Sequence, residues 1–315
     1  MKIIYDTMLP REWYDRLGEH TLVPDTALYE SNSLTDYEDA EVLTTNFYKP
    51  VRVDLLDRLP KLKLVTQFGV GYDTIDVHAC SERGILVTNT PQPVIEPTAE
   101  LCMTLILDIA RRTAELDRGL RKDEIQFGLL RNLGHSVYGK TLGIIGMGNI
   151  GRAVARRAIA CGMKIIYHNR HEIALPVLEQ SHIQAQYTSM DELLKQADFV
   201  SLNLPYTQEV HHLIGERELK LMKKNAFLIN TARGAHVDEK TLAQALREHW
   251  IAGAALDVYE HEPMIEEELK SLDNVLLVPH VGTGTWEGRK AMCDAMVDNI
   301  IAYSRKDFNS MTPVN

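Results

Sequence analysis

The run Gly146-Met147-Gly148-Asn149-Ile150-Gly151 follows a short apolar stretch, Thr141-Leu142-Gly143-Ile144-Ile145, and opens an amphipathic stretch over residues 152–161. A strand that runs into closely spaced glycines and then a helix is the first half of a βαβ unit, with the glycines where a dinucleotide pyrophosphate docks. Gly146 permits the tight turn, Gly148 lets the backbone approach the phosphates, and Gly151 lets helix and strand pack closely. Asn149 and Ile150 stand at the helix N-terminus, whose free N–H groups face an anion. The next apolar run, Lys164-Ile165-Ile166-Tyr167-His168, ends where the second strand of the unit should end, so position 169 is the one that reads the ribose. An acid there would accept hydrogen bonds from the ribose hydroxyls of NAD and repel a 2′-phosphate. Here it is Asn169, followed by Arg170. A neutral amide beside a permanent, many-donor cation suits NADP(H), with NAD(H) as the alternative cofactor.

The chain has 315 residues, 45% of them hydrophobic and 25% charged, enough for two domains with separate cores. Its net charge of −10 is spread without a basic cluster, which argues against nucleic acid as a partner. No apolar run reaches membrane length, and the opening Lys2-Ile3-Ile4-Tyr5 reads as a strand and not as a signal peptide, so a cytoplasmic protein is expected. Cys80, Cys102, Cys161 and Cys293 lack paired spacing and read as reduced fillers. His211-His212 lies in a polar loop with no third ligand apparent, so no metal is expected.

Short apolar runs alternate with helical patterns twice. The first block offers residues 2–5, 42–45, 62–68 and 85–89; the second offers 141–145, 164–168, 199–204, 226–230, 253–258 and 275–278. The pattern predicts an α/β chain with parallel sheets covered by helices on both faces. Breakers at Pro91, Pro93 and Pro97 precede a long apolar-periodic segment, predicting one helix over 98–121 capped by Thr98. A second amphipathic helix is predicted over 286–306, after the link Gly282-Thr283-Gly284.

Three segments of the second block fall at strand ends, where open α/β sheets place ligands. They are Asn230-Thr231-Ala232-Arg233-Gly234, the Asp257-Val258-Tyr259-Glu260-His261-Glu262-Pro263 stretch, and Pro279-His280-Val281-Gly282. An Arg can hold a substrate carboxylate and polarise a neighbouring carbonyl, while a His gives a proton to the oxygen that becomes a hydroxyl. A neighbouring carboxylate would orient that ring, with Glu262 and Glu260 both available. Taken singly, each residue also fits an ordinary surface or loop role.

The order and spacing of these segments resemble the D-isomer-specific 2-hydroxyacid dehydrogenase family over nearly the whole chain. Further carriers of the resemblance are Phe68-Gly69-Val70-Gly71-Tyr72-Asp73-Thr74-Ile75-Asp76, Asn89-Thr90-Pro91, Ala99-Glu100, Tyr138-Gly139-Lys140 and Val237-Asp238-Glu239. The resemblance implies two Rossmann-like or flavodoxin-like domains with the active site in the cleft between them. It implies a discontinuous substrate-binding domain of residues 1–97 plus 283–315, around a nucleotide-binding domain of residues 98–282. It further implies that Arg233 binds the 2-oxo acid, that His280 is the acid/base, and that Glu262 tunes it, preferred over Glu260 because it directly precedes Pro263. Pro205, Thr231 and Asp257 join the cofactor-binding residues, Asp257 at the nicotinamide end, and the Val70-Gly71 turn cradles the substrate carboxylate. A homodimer is implied as well.

The implied activity is reduction of a small 2-oxo acid to the D-2-hydroxy acid. Gln67 stands where phosphoglycerate dehydrogenases of the family often carry an Arg, and no regulatory domain follows residue 315, so a phosphorylated substrate is disfavoured. The Tyr167-His168-Asn169-Arg170 strand end is more similar to the NADP-using glyoxylate and hydroxypyruvate reductases. D-lactate and branched or aromatic 2-hydroxy acids are the alternatives. From another class, a dinucleotide-sensing corepressor-like protein would keep the cofactor site but not need the three catalytic candidates.

Overall fold

The short apolar runs of the first block are buried on both faces and pair side by side, which leaves parallel strands as their only economical arrangement. In the computed structural model, which describes residues 1–29 and 37–315, they form β1 (Lys2–Tyr5), β3 (Val42–Thr45), β4 (Leu64–Gln67) and β5 (Leu86–Thr88), joined at the edge by the partly exposed β2 (Thr21–Pro24). The sheet order is β2-β1-β3-β4-β5, every neighbouring pair parallel. The helix Trp286–Ser304 packs against β4 of this sheet, burying Met292, Met296, Val297 and Ile300, and it begins where the Thr285 hydroxyl accepts the Gly288 N–H at 2.9 Å. It ends two residues before the predicted 306.

The second block supplies β6 (Thr141–Ile145), β7 (Lys164–His168), β8 (Ala185–Tyr187), β9 (Phe199–Leu202), β10 (Phe227–Asn230), β11 (Gly253–Leu256) and β12 (Val275–Leu277). Their order is β12-β11-β10-β9-β6-β7-β8, again all parallel. The chain winds from β6 outward through β7 and β8, then returns to the other side of β6 as β9. That reversal makes the carboxyl ends of β6 and β9 the switch point, where open sheets bind ligands.

The chain divides into one unit of Met1–Val94 with Gly284–Asn315 and another of Ile95–Thr283. The first sheet lies wholly in the former and the second in the latter. The expected divisions at 97/98 and 282/283 differ from these by three residues and by one.

The single helix predicted over 98–121 is two helices, Ile95–Arg111 and Thr113–Arg121, broken at Arg112, which takes a left-handed φ of 57°. Asp108 causes the break to hold: its carboxylate accepts the Ala114 N–H at 2.9 Å and the Thr113 hydroxyl, closing off the second helix start. The first helix starts before the predicted cap, with Pro97 in its first turn, where a missing N–H costs nothing. Thr98 is buried inside the helix and does not cap it.

Among the described residues no helix is long and apolar enough to cross a membrane. The four cysteines are free; Cys80, Cys102 and Cys293 are buried, and burial pushes the first two thiols up to about 11 and the third to about 12.

Candidate active site

Every chemically promising segment of the Ile95–Thr283 unit emerges from the carboxyl end of a strand in its sheet. After β6, Gly146 takes a φ of 96°, and a Cβ on it would lie 2.5 Å from the carbonyl oxygen of Asn203 at the end of β9. A Cβ on Gly151 would lie 2.2 Å from the Gly146 carbonyl oxygen, so the helix Asn149–Ala160 can approach the turn only with glycine there. Gly148 differs: a Cβ would meet nothing within 4 Å. Two glycines therefore serve packing, and the third opens space over a helix start whose first N–H groups have no partner within the helix. This is the cradle a dinucleotide pyrophosphate needs, and the donors present fit it.

Asn169, at the end of β7, is tied into the same turn, because its side-chain oxygen accepts the Met147 N–H at 2.7 Å. Arg170 beside it is exposed. Pro205 is exposed after β9, and Thr231 is buried after β10.

The Arg233 turn is built by its neighbours. The side chain of Asn230, the last residue of β10, accepts the Ala232 N–H at 3.0 Å and donates to the Arg233 carbonyl at 2.8 Å. Gly234 follows because nothing larger fits: a Cβ there would lie 1.8 Å from the Tyr259 carbonyl carbon. The Arg233 turn is thereby pressed onto the loop that carries Glu262. Glu239 secures that loop from beneath, its buried carboxylate accepting the Glu260 N–H at 2.6 Å and the Glu266 N–H at 3.3 Å.

His280 lies just beyond β12 in a left-handed conformation, φ 52°, that a non-glycine residue holds only under constraint. Asp257 supplies the constraint. Its carbonyl accepts the His280 N–H at 2.8 Å, and its two carboxylate oxygens accept the N–H groups of Val281 at 2.6 Å and Gly282 at 2.8 Å. Burial pushes the Asp257 carboxyl up to about 6, against the pull of those N–H groups and of His280. Asp257, expected at the nicotinamide end of a cofactor, thus has both oxygens engaged in holding the histidine loop.

The His280 Nδ1 sits 2.8 Å from one oxygen of Glu262, whose other oxygen accepts the Tyr259 N–H at 3.0 Å. Burial raises the Glu262 carboxyl, but the hydrogen bond and charge of His280, the Tyr259 N–H and the charge of Arg233 outweigh it and hold it below the usual range. Half-buried Arg233, Glu262 and His280 therefore form one group: a cation, a carboxylate kept ionised, and an imidazole whose Nδ1 is engaged. Such a group can anchor an anion and move a proton at the imidazole. Glu260 faces elsewhere, with Oε1 2.8 Å from His212 Nε2. The expectation that His211-His212 lacks a third ligating neighbour is corrected here, because the loop after β11 folds back onto them.

The other unit holds Val70 and Gly71, beyond β4. Gly69 donates its N–H to the Thr90 hydroxyl at 2.9 Å, accepts the Thr90 N–H at 3.0 Å, and takes a φ of 126°. Asn89 donates from its side chain to the Val70 carbonyl at 2.8 Å. Asn89-Thr90 thus brace a turn in which Val70 is exposed and Gly71 half-exposed.

Sequence reasoning gave no role to Asn230 or Glu239 and a different one to Asp257. All three act through backbone N–H or carbonyl groups; the places of Asn230 and Asp257 at strand ends hinted at it, whereas Glu239 opens the helix Glu239–Arg247.

Residues 103–282 match the family model for "D-isomer specific 2-hydroxyacid dehydrogenase, NAD binding domain". A glyoxylate reductase of Thermococcus litoralis is 47% identical over 277 residues, which span 86% of this chain and 83% of that protein. The structure of an NADPH-dependent glyoxylate/hydroxypyruvate reductase from Sinorhizobium meliloti, in complex with NADP and malonate, superposes with a TM-score of 0.89 at 32% identity, covering 99% of this chain and 96% of that one. A D-lactate dehydrogenase from Aquifex aeolicus, complexed with NAD and lactic acid, gives 0.88 at 30% identity, covering 100% and 99%.

Proposed function

From the premise that the chain belongs to the D-isomer specific 2-hydroxyacid dehydrogenase family and is an NAD(P)-dependent oxidoreductase of small 2-oxo acids, we propose that it reduces glyoxylate and hydroxypyruvate, preferring NADPH. The observation that carries the chemistry is the Arg233, Glu262 and His280 group, with Glu262 Oε2 2.8 Å from His280 Nδ1.

Arg233 anchors the substrate carboxylate and stabilises charge growing on the carbonyl oxygen. His280 gives that oxygen its proton from the ring nitrogen not engaged by Glu262. Glu262 fixes the ring and offsets the charge of the protonated form. The N–H groups of the Val70-Gly71 turn take the substrate carboxylate, so the Met1–Val94 and Gly284–Asn315 unit serves as the substrate-binding domain. Gly146, Gly148, Asn149, Ile150 and Gly151 hold the dinucleotide pyrophosphate and Pro205 and Thr231 join them on the cofactor, while Asp257 serves the nicotinamide end through the His280 loop that it clamps. Asn169 and Arg170 receive the ribose and its 2′-phosphate. When bound, the dinucleotide supplies the hydride that reduces C2 of the substrate.

Two further readings belong to the proposal. The protein works as a homodimer, supported by the exposed apolar side chains of Phe127, Leu129, Leu130 and Leu133, of which Leu129 is 98% exposed in the single chain. Its compartment is the cytoplasm, in keeping with four free thiols.

The test is oxidation of NADPH and NADH, followed at 340 nm, against glyoxylate, hydroxypyruvate, pyruvate, phenylpyruvate and 2-oxoisocaproate. The proposal expects the highest kcat/KM with NADPH and one of the first two. A preference for pyruvate or for a bulky 2-oxo acid would overturn the substrate assignment, and a preference for NADH the cofactor assignment.

A further inference from the structure

His211 and His212 stack with ring centroids 4.0 Å apart and planes 19° from parallel. Both turn toward a single carboxylate oxygen, Glu260 Oε1, which lies 2.8 Å from His212 Nε2 and 3.8 Å from His211 Nε2. One ligating atom from each residue falls within 4.8 Å of the others. An ion pair needs one imidazole per carboxylate, and here a second is stacked on the first and aimed at the same oxygen.

The surroundings hold the three groups in place. The backbone of the histidine segment is fixed where His212 donates its N–H to the Ala235 carbonyl at 2.8 Å and Ile214 donates to the His236 carbonyl at 2.9 Å. Glu260 is fixed through its own N–H on the Glu239 carboxylate. On the far side of the His211 ring, Nδ1 lies 3.4 Å from the Tyr206 hydroxyl, a long contact of the kind that orients a ligating imidazole and leaves its Nε2 lone pair outward. His211 is exposed and the other two are half-buried, which leaves room for a water.

We propose that His211 Nε2, His212 Nε2 and Glu260 Oε1 bind one divalent ion of the zinc class, with water as the fourth ligand. Two imidazoles and one carboxylate form a donor set that zinc, cobalt and nickel accept, whereas magnesium and calcium require mostly oxygen. Metal–ligand bonds of about 2.0–2.2 Å in a tetrahedron put neighbouring ligand atoms about 3.4 Å apart, so side-chain adjustments of about 1 Å close the site. The ion would join the segment carrying His211 and His212 to the loop that also carries Glu262. The site is independent of the substrate and cofactor assignment.

The experiment is calorimetric titration of tag-free, chelator-treated full-length protein with zinc chloride, paired with the visible absorption of the cobalt-loaded protein. The expected result is one tight ion per chain, unaffected by millimolar magnesium, with the intense absorption of tetrahedral cobalt. His211→Ala, which keeps the His212–Glu260 contact, and Glu260→Gln should each weaken zinc at least tenfold. His280→Ala should bind zinc as tightly as the parent, since the ion does not use the catalytic imidazole. Absence of a one-per-chain site, or parental zinc affinity in both His211→Ala and Glu260→Gln, would overturn the assignment, as would loss of the site in His280→Ala.

Discussion

Replacing Asn169 by Asp changes the charge at the position proposed to read the ribose and almost nothing else. The side-chain oxygen of Asn169 accepts the Met147 N–H at 2.7 Å, and an Asp oxygen can accept the same bond, so the turn before the helix Asn149–Ala160 keeps its geometry. The new carboxylate repels a 2′-phosphate carrying about 1.5–2 negative charges. Between unit charges about 6 Å apart the interaction runs from about 0.7 kcal/mol in water to about 2.8 kcal/mol at an effective dielectric of about 20. For NADH the same carboxylate gains a charge-assisted bond from a ribose hydroxyl, about 1.5 kcal/mol or more. Arg170 beside it is exposed, so the repulsion belongs near the aqueous end, and the combined swing is about 2–3 kcal/mol. That is roughly a 30- to 150-fold change in the ratio of kcat/KM for NADPH to that for NADH, in favour of NADH. Steady-state kinetics with both nucleotides at two salt concentrations would measure it, the swing shrinking as salt rises. An unchanged ratio would show that position 169 does not read the ribose.

Other expected outcomes follow from the same contacts. His280→Ala should lower kcat by at least about a hundredfold while nucleotide affinity, measured by fluorescence titration, stays within a few-fold; retained turnover would remove His280 from the mechanism. Asp257, pushed up to about 6 against about 3.9 in an unfolded chain, holds its proton more tightly when folded. Its contribution to stability is therefore full below about pH 4 and is lost as pH rises through 6; urea unfolding across that window should show the slope, and Asp257→Asn should lack it. Lys49 bridges the buried carboxylates of Asp6, at 2.6 Å, and Asp25. Lys49→Met should cost about 3–5 kcal/mol in denaturant unfolding, because two buried charges lose their cation; a cost below about 1 kcal/mol would contradict that account.

The strands buried on both faces were legible because a parallel sheet writes itself as continuous apolar runs, as in Phe227–Asn230 and Phe199–Leu202. The two strands not anticipated, Thr21–Pro24 and Ala185–Tyr187, are sheet edges, partly exposed and without such a run. The helix break at Arg112 was illegible for a different reason. The apolar period continues across it, and it is stabilised by the Asp108 side chain reaching over it, a contact periodicity does not encode.

The glycine fingerprint was legible because Gly146 and Gly151 each answer a separate steric demand, and the family pattern preferred Glu262, which lies on His280 Nδ1, over Glu260 before any distance was known. What Asn230 and Glu239 do was not legible, and for Asp257 the sequence left a cofactor contact and a strand-end cap both open. A carboxylate that binds a cofactor and one that clamps a backbone loop look alike in sequence, and only the N–H groups of Val281 and Gly282 distinguish them.

The most direct test of the central claim follows the hydride itself. Hydroxypyruvate would be reduced with NADPH deuterated at the transferable position of nicotinamide C4, and the product examined by NMR and by chiral chromatography. The account predicts glycerate of the D configuration with one deuterium at C2. Glycerate of the L configuration, or product without deuterium at C2, would contradict it.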